Sequence, residues 1–417
     1  GNDVESTWNA ILDGESGIGE IAGFDASGFP TRIAAEVKGL RAEEAVEDRK
    51  SLKYATPFSL FALAAAEEAV HDAGVRPTAA TAELWGLFSG SGMMTMDFDF
   101  LQRFQREFAP EGEFDLARLG AEGERFISSQ EFVRHRAVAG QALLHSRFGI
   151  RGYSANLHTA CASGGQALGM AMRVVRSGQA DYVLAGGYDT MINPIGLAGF
   201  CLLGAISTDN DRPTSASRPF DLTRNGFVLG EGAGFMVLED WHRAEDRGAH
   251  IYAELAGEGN SLSSYRITDS PPSGDGPIQA IRGALEDAGE AAEAIDYVNA
   301  HGTSTPMNDL SETNAIKAVF GARAHELAVS STKSQMGHLI AAAGAVEGII
   351  CALAIEKSTA PMTSNLEIPD PECDLDFVSE GCRPMQIGAA MSNSFGFGGS
   401  NSCLVFRSPE RAEKPEG

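Results

Sequence analysis

The sequence predicts an α/β fold built from a duplicated unit, and three observations support this prediction. Residues 61–74 and 278–289 have apolar side chains at helical spacing, and both stretches end on Asp-Ala-Gly. Glycine-rich turns within 230–240 and 396–406 each lead into a hydrophobic strand. Between these landmarks, each half has a strand-like run followed by a helix of small residues. Landmarks in matching order indicate two copies of one unit, although α/β proteins also reuse such local patterns.

Hydrophobic runs predict further strands, at residues 84–90, 180–187, 251–259 and 294–302. The stretch from Gly74 to Cys161 is longer than the stretch from Gly289 to His338, which predicts an insertion at about residues 93–135. This insertion is rich in phenylalanine, whose rings are expected to line an apolar pocket, to contact a second subunit or simply to pack in the core. The polar residues 409–417 are expected to form a frayed tail.

Composition excludes several classes of protein. A net charge of −25 without a basic stripe disfavours nucleic-acid binding, and the plainest role of this acidity is solubility. The sequence contains no run of eighteen apolar residues, so no membrane span is predicted, and no signal peptide is visible. The six cysteines are scattered, without a CxxC pair or a zinc-like spacing to histidine. They predict reduced thiols in the cytoplasm and no metal site.

Cys161 is the first candidate for chemistry. It lies in HTACASGG, between a hydrophobic strand and a helix predicted at about residues 163–176. A cysteine at such a junction directs its sulfur at unpaired helical N–H groups, which favours the nucleophilic thiolate. Its small neighbours leave space for a bulky group. A buried structural cysteine remains the alternative at this point.

Two histidines are further candidates. His301 follows a predicted strand in VNAHGTSTP, where Thr303 and Thr305 point the same way by alternation. His338 opens an apolar helix predicted over 339–353, and a helix N-terminus disfavours a protonated imidazole there. A single histidine is more often a structural group, so the prediction depends on both being present.

Two more features accompany these residues. Lys333 is expected to pair with Glu347 within a largely apolar neighbourhood, the alternative being a surface lysine. The stretch NSFGFGG alternates Phe395 and Phe397 with Gly396 and Gly398. Glycines permit close approach of the backbone to a ligand, so a backbone N–H here is a candidate oxyanion donor, unless the stretch is only a β-turn.

Together the segments TACASG, NAHGTSTP, STKSQMGHLIAAAGAVE and NSFGFGG resemble the elongating β-ketoacyl-(acyl carrier protein) synthases of the thiolase superfamily. The resemblance covers nearly the whole chain. It implies a five-layer αβαβα fold with two similar halves, which we place at residues 1–242 and 243–408, followed by the tail. His338 differs from the Cys/His/Asn set of priming synthases, NSFGFGG lacks the second cysteine of degradative thiolases, and Cys161 argues against a non-catalytic partner subunit.

The resemblance also implies a role for each matched residue. Cys161 is the acylated nucleophile, and His301 and His338 bind the malonyl thioester carbonyl and stabilise the enolate left by decarboxylation. The backbone N–H groups of Cys161 and Phe397 form the oxyanion hole, and the Phe397 ring is the gate. The remaining roles are electrostatic support by Lys333 with Glu347, and contacts to the pantetheine arm by Thr303 and Thr305.

The implied reaction is a decarboxylative condensation that yields 3-oxoacyl-carrier protein in fatty-acid elongation. The partners expected are acyl carrier protein and a second subunit, as a homodimer or as a heterodimer with a relative. No cofactor is expected, since the carrier's phosphopantetheine holds the substrates. A type II polyketide or polyene pathway is the alternative, and a non-catalytic partner subunit is a remote third possibility.

The sequence departs from the family in three places. The family's first strand, expected at the centre of the first sheet, is missing before Gly1. Arginines that dock the carrier beside Ser207 and Thr208 are absent, and Asp209 follows instead. Segments 263–268 and 93–135 match poorly. These departures leave the carrier and the acyl group open, with Arg49, Lys50, Lys53 and Arg125 as candidate docking residues.

Overall fold

The structure, a computed structural model, describes residues 1–41, 50, 52–92 and 98–412. Within these ranges no helix is both long and apolar enough to cross a membrane. The helices are α1 (Val4–Leu12), α2 (Pro57–Asp72), α3 (Phe98–Phe108), α4 (Leu116–Phe126), α5 (Ser129–Arg134), α6 (Ala139–Phe148), α7 (Ser163–Arg176), α8 (Pro194–Leu202), α9 (Trp241–Asp246), α10 (Asp275–Ala288), α11 (Pro306–Phe320), α12 (Lys333–Met336) and α13 (Ala343–Glu356). The strands are β1 (Gly19–Glu20), β2 (Ile33–Ala34), β3 (Trp85–Ser91), β4 (Ser154–Leu157), β5 (Tyr182–Asp189), β6 (Gly232–Glu239), β7 (Glu254–Leu262), β8 (Tyr297–Asn299), β9 (Ala328–Ser330), β10 (Thr359–Ala360), β11 (Arg383–Pro384), β12 (Ala389–Phe395) and β13 (Ser400–Arg407).

Two sheets with matching topology form the centre of the fold. The first has the order β4-β3-β5-β6 and the second has the order β7-β13-β12-β8-β9. In the first, β4, β3 and β5 run parallel and β6 is antiparallel to β5. In the second, β9, β8 and β12 run parallel and β13 is antiparallel to β12. The same order and directions confirm the predicted duplication.

Helices cover both sheets and separate them. The outer face of the first sheet contacts α2, the outer face of the second contacts α10, and α7 and α13 pack together between the sheets. This arrangement is the predicted five-layer α/β fold. The two helices predicted to end on Asp-Ala-Gly are α2 and α10, followed by Gly74 (φ +63°) and Gly289 (φ +65°).

The two central helices approach each other through glycines. A methyl group at Gly164 of α7 would lie 2.8 Å from the backbone oxygen of Ala341 and 2.8 Å from the backbone nitrogen of Ala345. A methyl group at Gly344 of α13 would lie 2.7 Å from the backbone nitrogen of Gly165. Side chains larger than hydrogen therefore force the central layer apart, which would displace the loops at both helix starts.

The second sheet has one strand more than the first among the described residues, and the predicted first strand before Gly1 stays a prediction. In the second sheet the strand without a counterpart is β7, which lies at the edge beside β13. On the equivalent side, the outer edge of the first sheet is β6. That edge borders a cavity of about 880 Å³, lined in part by Trp8, Phe61, Val237 and Tyr252.

The phenylalanines of the predicted insertion mostly pack on one another. Residues 93–97 lie outside the described ranges, and the rest forms α3, α4 and α5. The rings of Phe100, Phe104, Phe108 and Phe126 form a chain of aromatic contacts with centroids 5.2–6.4 Å apart. Local core packing, one of the three expectations, therefore accounts for these four rings.

The structure bears on the predicted boundary between the two halves and on the predicted start of the C-terminal tail. The proposed boundary between residues 242 and 243 falls inside α9, and a division after this helix keeps it whole. The tail is not frayed at its start, because Arg411 donates to the Ala294 carbonyl at 3.1 Å and lies 3.7 Å from a Glu290 carboxylate oxygen.

Candidate functional site

Cys161 lies where the sequence predicts, between β4 and α7. It is 5% exposed and belongs to a short 3-10 turn, Ala160–Ala162, that leads directly into the helix. Ala160 has φ +50°, a backbone conformation that costs a non-glycine residue about 1–2 kcal/mol. Ile340 has φ +48° at the start of the equivalent turn before α13. The duplicated unit thus repeats the same strained turn, and the first copy presents the thiol.

Three neighbouring groups lower the pKa of the Cys161 thiol, namely the charge of Lys333 and the backbone N–H groups of Phe397 and of Cys161 itself. Burial acts more strongly in the opposite direction and raises the pKa of Cys161 to about 12. The backbone N–H of Cys161 at the start of the helix lowers the thiol pKa as the sequence predicts, and burial opposes it.

The His338 side chain contacts this sulfur. Its Nε2 lies 3.0 Å from Cys161 Sγ, and its Nδ1 accepts the backbone N–H of Ile340 at 3.3 Å. An Nδ1 that accepts places the proton of neutral imidazole on Nε2, facing the sulfur. The backbone of His338 is fixed on both sides, since its N–H donates to the Val228 carbonyl (2.7 Å) and its carbonyl accepts from Gly230 (2.9 Å).

His301 follows β8 and completes a compact cluster. Its ring centroid lies 5.2 Å from that of His338, at an interplanar angle of 83°. One ring nitrogen of each histidine and the sulfur of Cys161 all lie within 4.8 Å of one another. His301 Nδ1 is buried and has no hydrogen-bond partner among the described residues, which leaves this nitrogen free for a ligand.

Lys333 and Glu347 form the predicted buried pair. The ammonium of Lys333 is hydrogen bonded to Glu347 Oε1, and both side chains are buried. The positive charge of Lys333, together with burial, holds the pKa of His301 and of His338 well below the ordinary imidazole range. Both imidazoles are therefore neutral at physiological pH and act as hydrogen-bond donors. The positive charge of Lys333 also repels a metal cation from the sulfur and the two imidazoles. The absence of a metal site remains a prediction.

The Gly/Phe loop follows β12 and lies against the cysteine. A methyl group at Gly396 would lie 3.1 Å from the Cys161 nitrogen, and Gly398 has φ +81°. Phe395 packs against His301 with ring centroids 5.8 Å apart, and Phe397 lies 6.3 Å from the ring of Phe200. The two glycines thus let the backbone of this loop lie close to Cys161, and Phe397 packs against the apolar cluster that contains Cys161.

The two threonines after His301 lie side by side, as the sequence predicts. Thr303 Oγ1 is 2.9 Å from Thr305 Oγ1. Thr305 also begins α11, where its side chain accepts the N–H of Asn308 at 3.4 Å. Their hydroxyls form a polar pair in the turn that follows His301.

The candidate docking residues are not part of this cluster. Arg49 lies outside the described residues. Lys50, Lys53 and Arg125 are exposed, and the Lys53 ammonium lies 4.8 Å from the Tyr54 ring. The Lys53 carbonyl accepts from Gln130 at 2.7 Å, which joins this segment to the insertion.

Two buried carboxylates that the sequence analysis did not identify hold the backbone around the site. Glu312 of α11 accepts the N–H groups of His301 and Gly302, each at 2.8 Å, and burial raises its pKa to about 7. Asp189 ends β5 and accepts the N–H of Ala341 at 3.1 Å, and burial raises its pKa to about 7 as well. The sequence signal for either was weak, since each is a single acid outside the recognised segments.

Comparison with known proteins gives consistent similarities over the whole chain. Residues 1–244 match the beta-ketoacyl synthase N-terminal domain, and residues 252–367 match the C-terminal domain. A 3-oxoacyl-[acyl-carrier-protein] synthase 2 from Coxiella burnetii is 43% identical over 407 residues, which cover 97% of this chain and 94% of that protein.

Solved structures agree with the sequence relatives. A beta-ketoacyl synthase from Burkholderia phymatum is similar with a TM-score of 0.86 and 31% identity, covering 97% of this chain and 95% of that one. The ketosynthase of a type II polyketide synthase, solved with its acyl-carrier protein and bound to the hexaketide, has a TM-score of 0.85 and 33% identity over the same fractions.

Proposed function

Since the chain belongs to the beta-ketoacyl synthase family of acyl-transferring condensing enzymes, we propose that it joins a malonyl unit to an acyl chain carried on Cys161. Both substrates arrive as thioesters of acyl carrier protein. The product is 3-oxoacyl-carrier protein, two carbons longer than the starting chain, together with CO₂ and free carrier. The pathway we propose is fatty-acid elongation.

In the first half-reaction the acyl group moves to Cys161. The sulfur attacks the thioester carbonyl of acyl-carrier protein, and the bond to the pantetheine sulfur breaks. The thiol proton ends on that departing sulfur, so no proton is gained or lost overall. Negative charge develops on the carbonyl oxygen, and the backbone N–H groups of Cys161 and Phe397 are the proposed donors to it. Each such donor contributes roughly 10²–10³ to the rate.

In the second half-reaction the two histidines act on the malonyl thioester. The carbonyl oxygen of this thioester binds between His301 and His338, which are neutral because of burial and the Lys333 charge. Loss of CO₂ leaves an enolate on that oxygen, stabilised by the imidazole donors. The enolate carbon then attacks the acyl-Cys161 thioester, and the cysteine sulfur leaves as a thiolate that takes up one proton and restores the thiol. His338 suits this role because its Nδ1 is held by Ile340, which leaves Nε2–H to donate.

The observation that carries this proposal is the convergence of one thiol and two neutral imidazoles within 4.8 Å. Its test is reconstitution with malonyl-carrier protein and a panel of acyl-carrier proteins, with products identified by mass spectrometry. Cys161→Ala is expected to form no product. Cys201→Ala is the matched control, because Cys201 belongs to the same apolar cluster and is expected to leave the reaction intact.

The carrier's arm and the second subunit belong to the same proposal. The hydroxyl pair of Thr303 and Thr305 binds the polar amides of the pantetheine, and Lys50, Lys53 and Arg125 attract the acidic carrier at longer range. No separate cofactor takes part. The second subunit is a copy or a relative of this chain, and light scattering of the purified protein distinguishes a monomer from a dimer.

A type II polyketide pathway is the second candidate. Two observations favour it, namely the similarity to a ketosynthase solved with a hexaketide and the presence of Asp209 in the segment where elongating relatives carry an arginine. The same reconstitution separates the two pathways. Saturated acyl primers extended once indicate fatty-acid elongation, whereas repeated extension of unreduced 3-oxo chains indicates a polyketide.

A further inference from the structure

Asp189 lies at the end of β5, and its carboxylate is buried against the turn that follows His338. The side chain is 2% exposed, and its Oδ2 accepts the backbone N–H of Ala341 at 3.1 Å. A methyl group at Gly92 would lie 2.1 Å from Oδ1, so the segment after β3 closes over the carboxylate. The carboxylate is thus enclosed between two strand ends of the first half and bound to a turn of the second half.

Ala341 occupies the position in the second half that Cys161 occupies in the first. Each is the middle residue of a three-residue 3-10 turn, one before α7 and the other before α13. The strands that end beside these turns also correspond, since β12 and β5 have the same place in the two sheets. At the end of β12 the Cys161 nitrogen is approached by Gly396, whereas at the end of β5 the equivalent nitrogen is bound by a carboxylate. The N–H that we assign to the oxyanion hole in the first half is therefore taken by Asp189 in the second.

The turn that Asp189 holds has a strained backbone. Ile340 has φ +48°, a conformation that a β-branched residue rarely adopts and that persists only where the surroundings impose it. The N–H of Ile340 is also the group that donates to His338 Nδ1 at 3.3 Å, which leaves Nε2–H to face the Cys161 sulfur. The N–H of Ala341 belongs to the peptide that links it to Ile340, so the bond from Asp189 fixes the orientation of this peptide.

Charge and packing both favour a carboxylate at this place. The bound N–H lies two residues before α13, at a helix start where unpaired N–H groups carry partial positive charge. A methyl group at Gly187, two residues earlier on β5, would lie 2.8 Å from the Ala341 carbonyl oxygen. The strand itself therefore lies directly against the turn, and the position of the Asp189 carboxylate follows from the sheet.

We propose that Asp189 is a positioning residue for decarboxylation, because its carboxylate holds the peptide after Ile340 and thereby keeps His338 in the tautomer that donates toward the substrate. The inference rests on the proposed function, since it assigns a further group to the decarboxylation step. Asp189 acts through His338 and not on the substrate. Loss of the carboxylate therefore weakens the step that needs His338 and leaves acyl transfer to Cys161 unchanged.

The test measures the two half-reactions separately in Asp189→Ala. The rate of CO₂ release from malonyl-carrier protein is expected to fall by roughly tenfold at unchanged KM, because His338 then donates from a displaced position. Acylation of Cys161 by acyl-carrier protein is expected to keep the wild-type rate. Asp189→Asn retains an oxygen that accepts the Ala341 N–H, so this variant is expected to restore most of the rate of CO₂ release.

A double-mutant cycle separates positioning from general support of the fold. Asp189→Ala added to His338→Ala is expected to cause no further loss of CO₂ release, whereas added to His301→Ala it still lowers the rate. Asp296→Ala is the matched control, because this carboxylate also accepts a backbone N–H (that of Gly388, at 2.7 Å), but at the start of β12 and not at its end. The control is expected to leave both half-reactions unchanged.

Three kinetic results would overturn the inference. They are a further loss in the His338→Ala background, equal losses in both half-reactions, and an Asp189→Asn variant as slow as Asp189→Ala. If the alanine variant does not fold, Asp189→Val fills the same space without an acceptor and takes its place. Failure of both variants to fold would show that Asp189 supports the fold as a whole, which also overturns the inference.

A second measurement is independent of the proposed function. NMR of the labelled histidine ring nitrogens is expected to show the Nε2–H tautomer of His338 in the wild type and a mixture of both tautomers in Asp189→Ala, with His338→Ala identifying the signals. Identical His338 signals in the two proteins would overturn the inference. If the wild type releases no CO₂ from malonyl-carrier protein, the proposed function fails, and this comparison still tests the positioning by Asp189.

Discussion

His338 Nε2 lies 3.0 Å from the sulfur of Cys161, although 177 residues separate the two side chains in sequence. The contact joins the two duplicated halves, since Cys161 precedes α7 of the first and His338 precedes α13 of the second. The bond from the Ile340 N–H to Nδ1 makes His338 a donor toward the sulfur. A donor here suits an enolate oxygen better than it suits removal of a thiol proton.

The first prediction concerns the two histidines. His301→Ala and His338→Ala are each expected to slow CO₂ release from malonyl-carrier protein by roughly 10²–10³, since each removes a donor from the developing enolate. Cys161 is expected to become acylated in both variants, which intact-protein mass spectrometry detects. His250→Ala, at an exposed histidine bonded to Glu356, is the control. If both variants released CO₂ as fast as the wild type, His301 and His338 would not be the groups that stabilise the enolate.

The second prediction concerns pH. Because burial and Lys333 lower the pKa of both imidazoles, they stay neutral below pH 6.5, where an ordinary histidine becomes protonated. The rate of CO₂ release is therefore expected to show no loss as the pH falls through 6.5. Replacing the ion pair by Lys333→Met with Glu347→Gln removes the nearby positive charge and raises the imidazole pKa. The double variant is expected to lose activity at a higher pH than the wild type, and identical profiles would contradict this electrostatic role.

The third prediction concerns the stability of the buried ion pair. Lys333→Met alone leaves the Glu347 carboxylate buried without its partner, which costs about 3–5 kcal/mol of unfolding free energy. Adding Glu347→Leu is expected to recover most of this loss, because no buried charge remains. Denaturant unfolding of the wild type, the single variants and the double variant measures the coupling. Additive losses would mean that the two side chains do not interact.

The fourth prediction concerns the contact between α7 and α13. Gly164→Ala places a methyl group 2.8 Å from backbone atoms of the facing turn, and it is expected to destabilise the fold by about 1–3 kcal/mol. Gly199→Ala on α8 meets no atom within 4 Å and is the matched control. A Gly164 variant as stable as this control would show that the central layer is not closely packed.

The sequence alone was sufficient to predict those site residues that lie in distinctive local motifs. Cys161, His301, His338 and the Lys333–Glu347 pair follow from four motifs, and the duplicated strands and helices follow from hydrophobic periodicity. These features depend on local spacing, which a single sequence contains. The structure adds that the segments converge on one buried point.

Other features depend on contacts that local sequence does not encode. Glu312 is an isolated acid on a helix, and its bonds to the His301 backbone exist only because α11 packs beside β8. The burial of Cys161, which raises the pKa of its thiol, results from the whole apolar cluster and not from the local segment.

The central claim is that Cys161 carries the acyl chain while His301 and His338 drive decarboxylation. Its most direct test is Cys161→Gln, with CO₂ release and 3-oxoacyl-carrier protein measured in the same reaction. The account predicts no condensation product and CO₂ release that equals or exceeds that of the wild type, because the amide cannot accept an acyl group and both imidazole donors remain. Condensation product formed by the Gln variant would contradict the account.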